Sequence, residues 1–123
     1  MAFKMEVSTA SIFPVISLEG EVDIYTSPQL KQQIMDTMKE DGVNLIVDLN
    51  KVDYLDTTGL GVMLSSLRRI REQDGNLALA CSSPRILNVF NYTDLNKTFD
   101  IYATVEEAVA SISDLIDPLP PAA

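Results

Sequence analysis

The sequence predicts a single α/β domain built on a mixed sheet of about five strands with about four helices. Three observations carry that reading. From residue 12 onward, short apolar runs of strand length alternate with longer segments whose apolar residues recur every three or four positions. The segments are separated by helix-start and helix-stop signals: Ser27-Pro28, Asp41-Gly42, Asp74-Gly75, Ser83-Pro84 and the Thr104–Glu107 box. Finally, 123 residues with 46% apolar and 22% charged content suit one domain large enough to bury a core. Such alternation implies parallel strand pairs joined by crossover helices.

Residues 3–8 and 12–19 read as strands around the turn Thr9-Ala10-Ser11, so the first runs antiparallel to the second. On the second, Phe13, Val15 and Ser17 share one face, with Ile12, Ile16 and Leu18 on the other. Pro14 donates no ladder hydrogen bond, which makes the strand irregular or an edge at that point. Ser27 suits a helix N-cap and Pro28 the first helical position, and Leu30, Ile34 and Met38 form the inward stripe. Residues 43–49 are an apolar run of the kind buried on both faces of a sheet. The next helix begins near Asp56 or Thr57 and ends at Asp74-Gly75. Residues 76–81 form another buried strand. Ser83-Pro84 opens a short helix carrying Ile86, Leu87 and Phe90, and residues 98–102 are the last strand. Thr104-Val-Glu-Glu107 matches a capping box, whose helix turns Val105, Ala108, Val109 and Ile112 inward. The domain spans 1–116, and the Pro-rich tail 117–123 is expected to be disordered.

Charge and missing residue types narrow the function. A net charge of −9 argues against nucleic-acid and anionic-membrane partners, both of which select Lys and Arg. With no histidine there is no His base, no Ser-His-Asp triad and no His metal ligand. Neither a Gly-x-Ser-x-Gly nor a Gly-Lys-Ser/Thr loop is present, so no catalytic constellation assembles and the protein is read as a non-enzyme. The one cysteine, Cys81, ends an apolar run and reads as a buried, inert thiol. No metal site or cofactor is expected. The start lacks an apolar signal-peptide core and no apolar run approaches bilayer length, so a reducing cytoplasm is the expected compartment.

One loop breaks local rules. Asp56-Thr57-Thr58-Gly59-Leu60-Gly61-Val62 enters the longest helix with two glycines in its first turns, each costing about 0.5–1 kcal/mol relative to alanine. On a helical wheel Leu60, Met63, Leu64, Leu67 and Ile70 face the core, and Thr58, Gly61, Val62, Ser65 and Arg69 face away. A flat, small-residue outer face with Val62 exposed suits docking to another protein; the other reading is a solvated helix side. The helix N-terminus offers free amides that a phosphate on Thr57 would meet, while plain capping is the simpler role for both threonines. Gly20-Glu21-Val22-Asp23 follows the second strand, which sets Asp23 and Asp56 on neighbouring strand ends. There the two carboxylates would bind a metal, take a partner's Arg or Lys, or stand solvated. Arg68, Arg69 and Arg71 read as solvated charges favourable near the helix C-terminus.

Asp56-Thr-Thr-Gly-Leu-Gly-Val62 after the strand 45–49, together with Gly20-Glu-Val-Asp23, resembles the STAS domain of bacterial anti-sigma factor antagonists (anti-anti-sigma factors), over roughly residues 3–116. The resemblance implies a partner switch. The unphosphorylated antagonist binds an anti-sigma factor that is also a serine/threonine kinase of the GHKL type, which frees a sigma factor. Phosphorylation of the hydroxyl residue after the motif aspartate breaks the complex, and a PP2C-type phosphatase resets it. The matching acceptor is Thr57, with Thr58 the second candidate; the family most often carries serine there. Asp23 and Asp56 match acidic positions close to that acceptor; together with the outer face of the helix, the expected partner-binding residues are Asp23, Asp56, Thr58, Gly59, Gly61, Val62 and Ser65. Such modules also serve outputs other than a sigma factor. A phospho-aspartate receiver, with Asp48 at a strand end, is the alternative. It requires an acidic pair after the first strand and a lysine after the last, and neither Glu6-Val7-Ser8 nor residues 98–104 supply them.

Overall fold

The computed structural model describes residues 3–117. The strands are β1 (Lys4–Ala10), β2 (Phe13–Val22), β3 (Asn44–Leu55), β4 (Asn76–Ala80) and β5 (Asp100–Tyr102). The helices are α1 (Ser27–Asp41), α2 (Thr57–Glu72), α3 (Pro84–Tyr92) and α4 (Val105–Ile116), with a 3₁₀ turn at Leu95–Lys97. Spatial order follows chain order, β1-β2-β3-β4-β5; β1 is antiparallel to β2 and every other pair is parallel. Because each parallel crossover has the same hand, consecutive strand order carries α1, α2 and α3 to one face of the sheet. Only α4, which follows the last strand, packs on the other face.

The two sides of the sheet hold two cores. Ile16, Leu18, Leu45, Val47, Leu49, Leu77 and Leu79 pack under α1–α3 in the larger one. Phe13, Val15, Ile46 and Ala78 meet Ala108 and Ile112 of α4 in the smaller one. The apolar run in β3 is therefore buried on both faces, as its composition requires. Phe90 of α3 meets Phe99 edge-to-face, with ring centroids 5.5 Å apart. Cys81 is buried, and desolvation pushes its thiol above the ordinary range.

Several local expectations shift. The tight turn is at Ser11-Ile12, and Ile12 is exposed there, not packed with Ile16 and Leu18. Pro14 precedes the first β2–β3 pair, Val15 with Ile46, so β2 is still flanked on one side only where the donor is missing. Thr26, not Ser27, is the cap residue of α1; Ser27 is already helical and buried. The strand expected over 43–49 runs on to Leu55, since Val52 and Leu55 remain in the larger core. The Thr104 hydroxyl accepts from the Glu107 amide at 3.1 Å, while Glu107 reaches back to the Ala103 amide at 3.0 Å, one residue before the usual partner. The proposed tail 117–123 lies, apart from Asp117, outside the described residues. Among the described residues, no helix is long and apolar enough to cross a membrane.

Ile112 supplies α4 with a fully buried side chain in the smaller core. Ile112→Ala should destabilise the domain by about 2–4 kcal/mol, through lost burial and an unfilled cavity. Urea unfolding monitored by far-UV circular dichroism checks this; a loss below about 1 kcal/mol would mean that α4 is not part of the cooperative core.

Candidate functional site

The carboxyl ends of β2 and β3 place two loops side by side. The Asp56 amide donates to the Val22 carbonyl at 3.1 Å, which joins the entry to α2 to the end of β2. Register shifts between Ser17 and Glu19 and between Gly20 and Glu21 re-aim the end of β2. Gly20 has φ of 96°, a conformation that a side chain would strain, which accounts for the glycine in the first motif.

Asp56 is the N-cap of α2. Its Oδ1 accepts from the Thr58 amide at 3.0 Å, the Gly59 amide at 3.1 Å and the Thr58 hydroxyl. Burial alone would push this carboxyl up. The Thr58 hydroxyl and the amides of Gly59, Thr58 and Ile24 outweigh burial and hold it below the usual carboxylate range. The bond from the Asp56 amide to the Val22 carbonyl ties the same residue to the end of β2.

Thr57 stands next to this cap as the first helical residue, and it is exposed. Its hydroxyl makes no hydrogen bond to another described residue. Thr58 differs: it is half-buried and its hydroxyl is committed to Asp56. The amides expected to be free for a phosphate are only partly so, because Asp56 already occupies those of Thr58 and Gly59.

Asp23 also faces inward on its own loop. Its Oδ1 accepts from the amides of Tyr25 at 2.9 Å and Thr26 at 3.1 Å. The Thr26 hydroxyl accepts from the Asp23 amide and donates to the Glu21 carbonyl, both at 2.9 Å. The Ser27 amide closes onto the Asp23 carbonyl at 2.8 Å. Asp23 therefore organises the turn into α1. Among the described residues, no three acidic or sulfur side chains are grouped to hold a metal ion.

The outer face of α2 is narrower than the wheel implied. Gly61 is exposed, and a Cβ there would meet nothing within 4 Å; Ser65 is exposed as well. Val62, expected on the surface, is half-buried against the larger core. Gly59 is buried: a Cβ there would stand 2.7 Å from both Leu55 Cδ1 and Val22 Cγ1. Its smallness serves close packing of α2 onto the two strand ends. The two glycines thus have different causes. Arg71 is tied down by a bond from Nη2 to the Thr98 carbonyl at 3.1 Å, so it is not a purely solvated charge, whereas Arg68 and Arg69 are exposed.

Sequence reasoning missed three surface residues near these loops. Ile24 is 61% exposed and Tyr25 84% exposed in the turn after Asp23, and Tyr54, paired in register with Glu21, is half-exposed. Two adjacent apolar residues in a polar loop were the available signal. Exposed large apolar side chains of this kind, on loops beside the Thr57 cap, are the sort that protein partners cover. Asp48 is half-buried in mid-strand opposite Ala80 and its Oδ1 accepts from the Asn50 amide, so it is not the strand-end carboxylate that a receiver needs. The sheet order also departs from the 2-1-3-4-5 order of receivers.

A domain of five strands in this order, with a hydroxyl-bearing helix start beside the β2 end, is the STAS architecture. The STAS domain family model matches residues 4–108, and the chain belongs to that family. Within it, the anti-sigma-B factor antagonist of Bacillus subtilis (strain 168) is 34% identical over 94 residues, 76% of this chain and 85% of that protein. An anti-sigma factor antagonist from Mycobacterium paratuberculosis superposes with a TM-score of 0.84 at 26% identity, covering 92% of this chain and 96% of that one. The Bacillus cell fate determinant SpoIIAA in its phosphorylated form superposes with a TM-score of 0.67 at 26% identity, covering 90% and 99%.

Two outcomes follow from the geometry. Gly59→Ala should cost about 1–3 kcal/mol by overpacking Val22 and Leu55, whereas Gly61→Ala should raise stability by up to about 1 kcal/mol. Paired thermal melts check this, and equal effects would show that the two positions are equivalent. Asp56 has a folded pKa below its unfolded value of about 3.9, so its contribution is present above that value and disappears as pH falls through the folded pKa. Asp56→Asn should therefore be less stable than the parent at neutral pH, with the difference shrinking as the pH falls below the unfolded value. A stability difference that stays constant on acidification would contradict the carboxylate's role.

Proposed function

We propose that this protein is an anti-sigma factor antagonist that acts by partner switching, with Thr57 as its phosphorylation site. The exposed Thr57 hydroxyl beside the Asp56 cap is the observation that supports this most directly. The unphosphorylated face, made by Thr57, Thr58, Gly61, Ser65 and the Ile24-Tyr25 rim, docks an anti-sigma factor, and the sigma factor is released. The anti-sigma factor is a serine/threonine kinase of the GHKL type, and a PP2C-type phosphatase reverses its action. Asp23, Gly59 and Val62 serve the interface by shaping the two loops and the helix packing, not by reaching across it. The antagonist itself catalyses nothing.

Charge supplies the switch. A phosphothreonine carries about −1.5 to −2. At position 57 that charge adjoins Asp56, which already holds the amides a phosphate would seek. Against a partner surface shaped for a neutral hydroxyl, an unfavourable change of about 3 kcal/mol weakens binding roughly a hundredfold. Thr58 is the poorer acceptor, because its hydroxyl must first leave Asp56 and uncover a partly buried site.

Incubation with the cognate anti-sigma kinase and ATP, followed by mass spectrometry, should place one phosphate on Thr57. Thr57→Ala should abolish labelling and Thr58→Ala should retain it. Thr57→Glu should lose anti-sigma binding by calorimetry while melting within a few degrees of the parent. Phosphate on Thr58 alone, or on neither threonine, would overturn the assignment.

A further inference from the structure

Away from the Thr57 loop, α1 and α2 lie side by side and leave a groove along their outer seam. It consists of two adjoining hollows of about 70 Å³ and 250 Å³ that share Met35, Met38 and Arg69. Lys31, Lys39 and Ser65 complete most of the rim. Met35 is 38% exposed, a large apolar side chain left at the surface.

Charge makes this groove unlike the rest of the molecule. The chain has 9 basic residues against 18 acidic ones, yet three of the nine border this groove and no carboxylate lines it. Of the α1 carboxylates, Asp36 and Glu40 fall on the other side of the helical wheel and Asp41 is the last helical residue; Asp36 accepts a hydrogen bond from Gln32 at 2.9 Å. Among the described residues the only ion pair is Lys4–Glu19, so Lys31, Lys39 and Arg69 are not neutralised from within the domain. Methionines provide an adaptable apolar floor, and a seam between two helices accepts the ridge of a third.

We propose that the α1–α2 groove is a docking site for an acidic amphipathic helix of a partner protein. Its apolar side chains settle on Met35 and Met38, and its carboxylates face Lys31, Lys39 and Arg69. A nucleic acid shares the negative charge but lacks the apolar ridge, and it is repelled by the chain's net −9. The site is separate from the phosphorylation reading and stands or falls without it. Ser65, which borders both surfaces, would let a partner bound through the Thr57 loop extend into the groove.

The test is an NMR titration of the intact protein with a synthetic helical peptide that has leucines on one face and glutamates on the other. Signals of the Met35 and Met38 methyl groups and amides along 31–39 and 65–73 should move, and raising salt from about 50 to 500 mM should weaken binding. The double variant Lys31→Glu/Arg69→Glu, whose exposed changes leave the core intact, should bind about tenfold more weakly or worse. Four results would overturn the proposal. These are no shifts at millimolar peptide, equal shifts with a lysine-substituted peptide, the same shifts with an oligothymidine strand, or concentration-dependent shifts without peptide, which would assign the groove to a second copy of this chain.

Discussion

The site depends on a single carboxylate. Asp56 takes the amides of Thr58 and Gly59 and the Thr58 hydroxyl, while its own amide reaches the Val22 carbonyl. These bonds satisfy the donors that a helix start leaves open, and they clamp α2 to the end of β2. Without them, Thr57 would have no fixed place relative to the loop that carries Ile24 and Tyr25. The same bonds account for the contrast between the two threonines. One hydroxyl is used by the cap, and the other is left at the surface.

The sheet brings those two loops together. Because β2 and β3 are adjacent and parallel, their carboxyl ends finish at the same edge, where ligands and partners of such sheets commonly meet. Two register shifts and the positive φ of Gly20 bend the end of β2. Val22 then reaches both the Asp56 amide and the space under Gly59. Close packing at Gly59 and an open surface at Gly61 lie two residues apart on one helix. The first holds the helix down, and the second leaves the helix face open.

Charge is distributed unevenly over this acidic chain. The acidic groups that matter at the site are spent on backbone amides: Asp56 caps α2 and Asp23 closes the turn before α1. The basic groups along the α1–α2 seam have no such internal partners among the described residues. The surroundings of Thr57 are therefore negative, while the seam is positive. The two surfaces respond oppositely to a charged partner.

By itself the sequence determined the elements and their pairing sense. Apolar periodicity, Ser-Pro and Asp-Gly punctuation and the Thr104–Glu107 box are local signals, and local hydrogen bonding obeys them. It also marked Asp56 through Val62 as unusual, since two glycines at a helix start conflict with local propensity. Tertiary structure decided what each of those residues does. Whether Gly59 or Gly61 is buried depends on how far α2 rolls onto Val22 and Leu55, and those neighbours come from other strands. Asp23 became a turn-forming carboxylate because the backbone of residues 21–27 curls around it, and Val62 packs partly against the larger core. The extension of β3 to Leu55 and the basic seam between α1 and α2 were likewise invisible in a linear reading. Both arise from contacts between segments far apart in the chain, which no local pattern encodes.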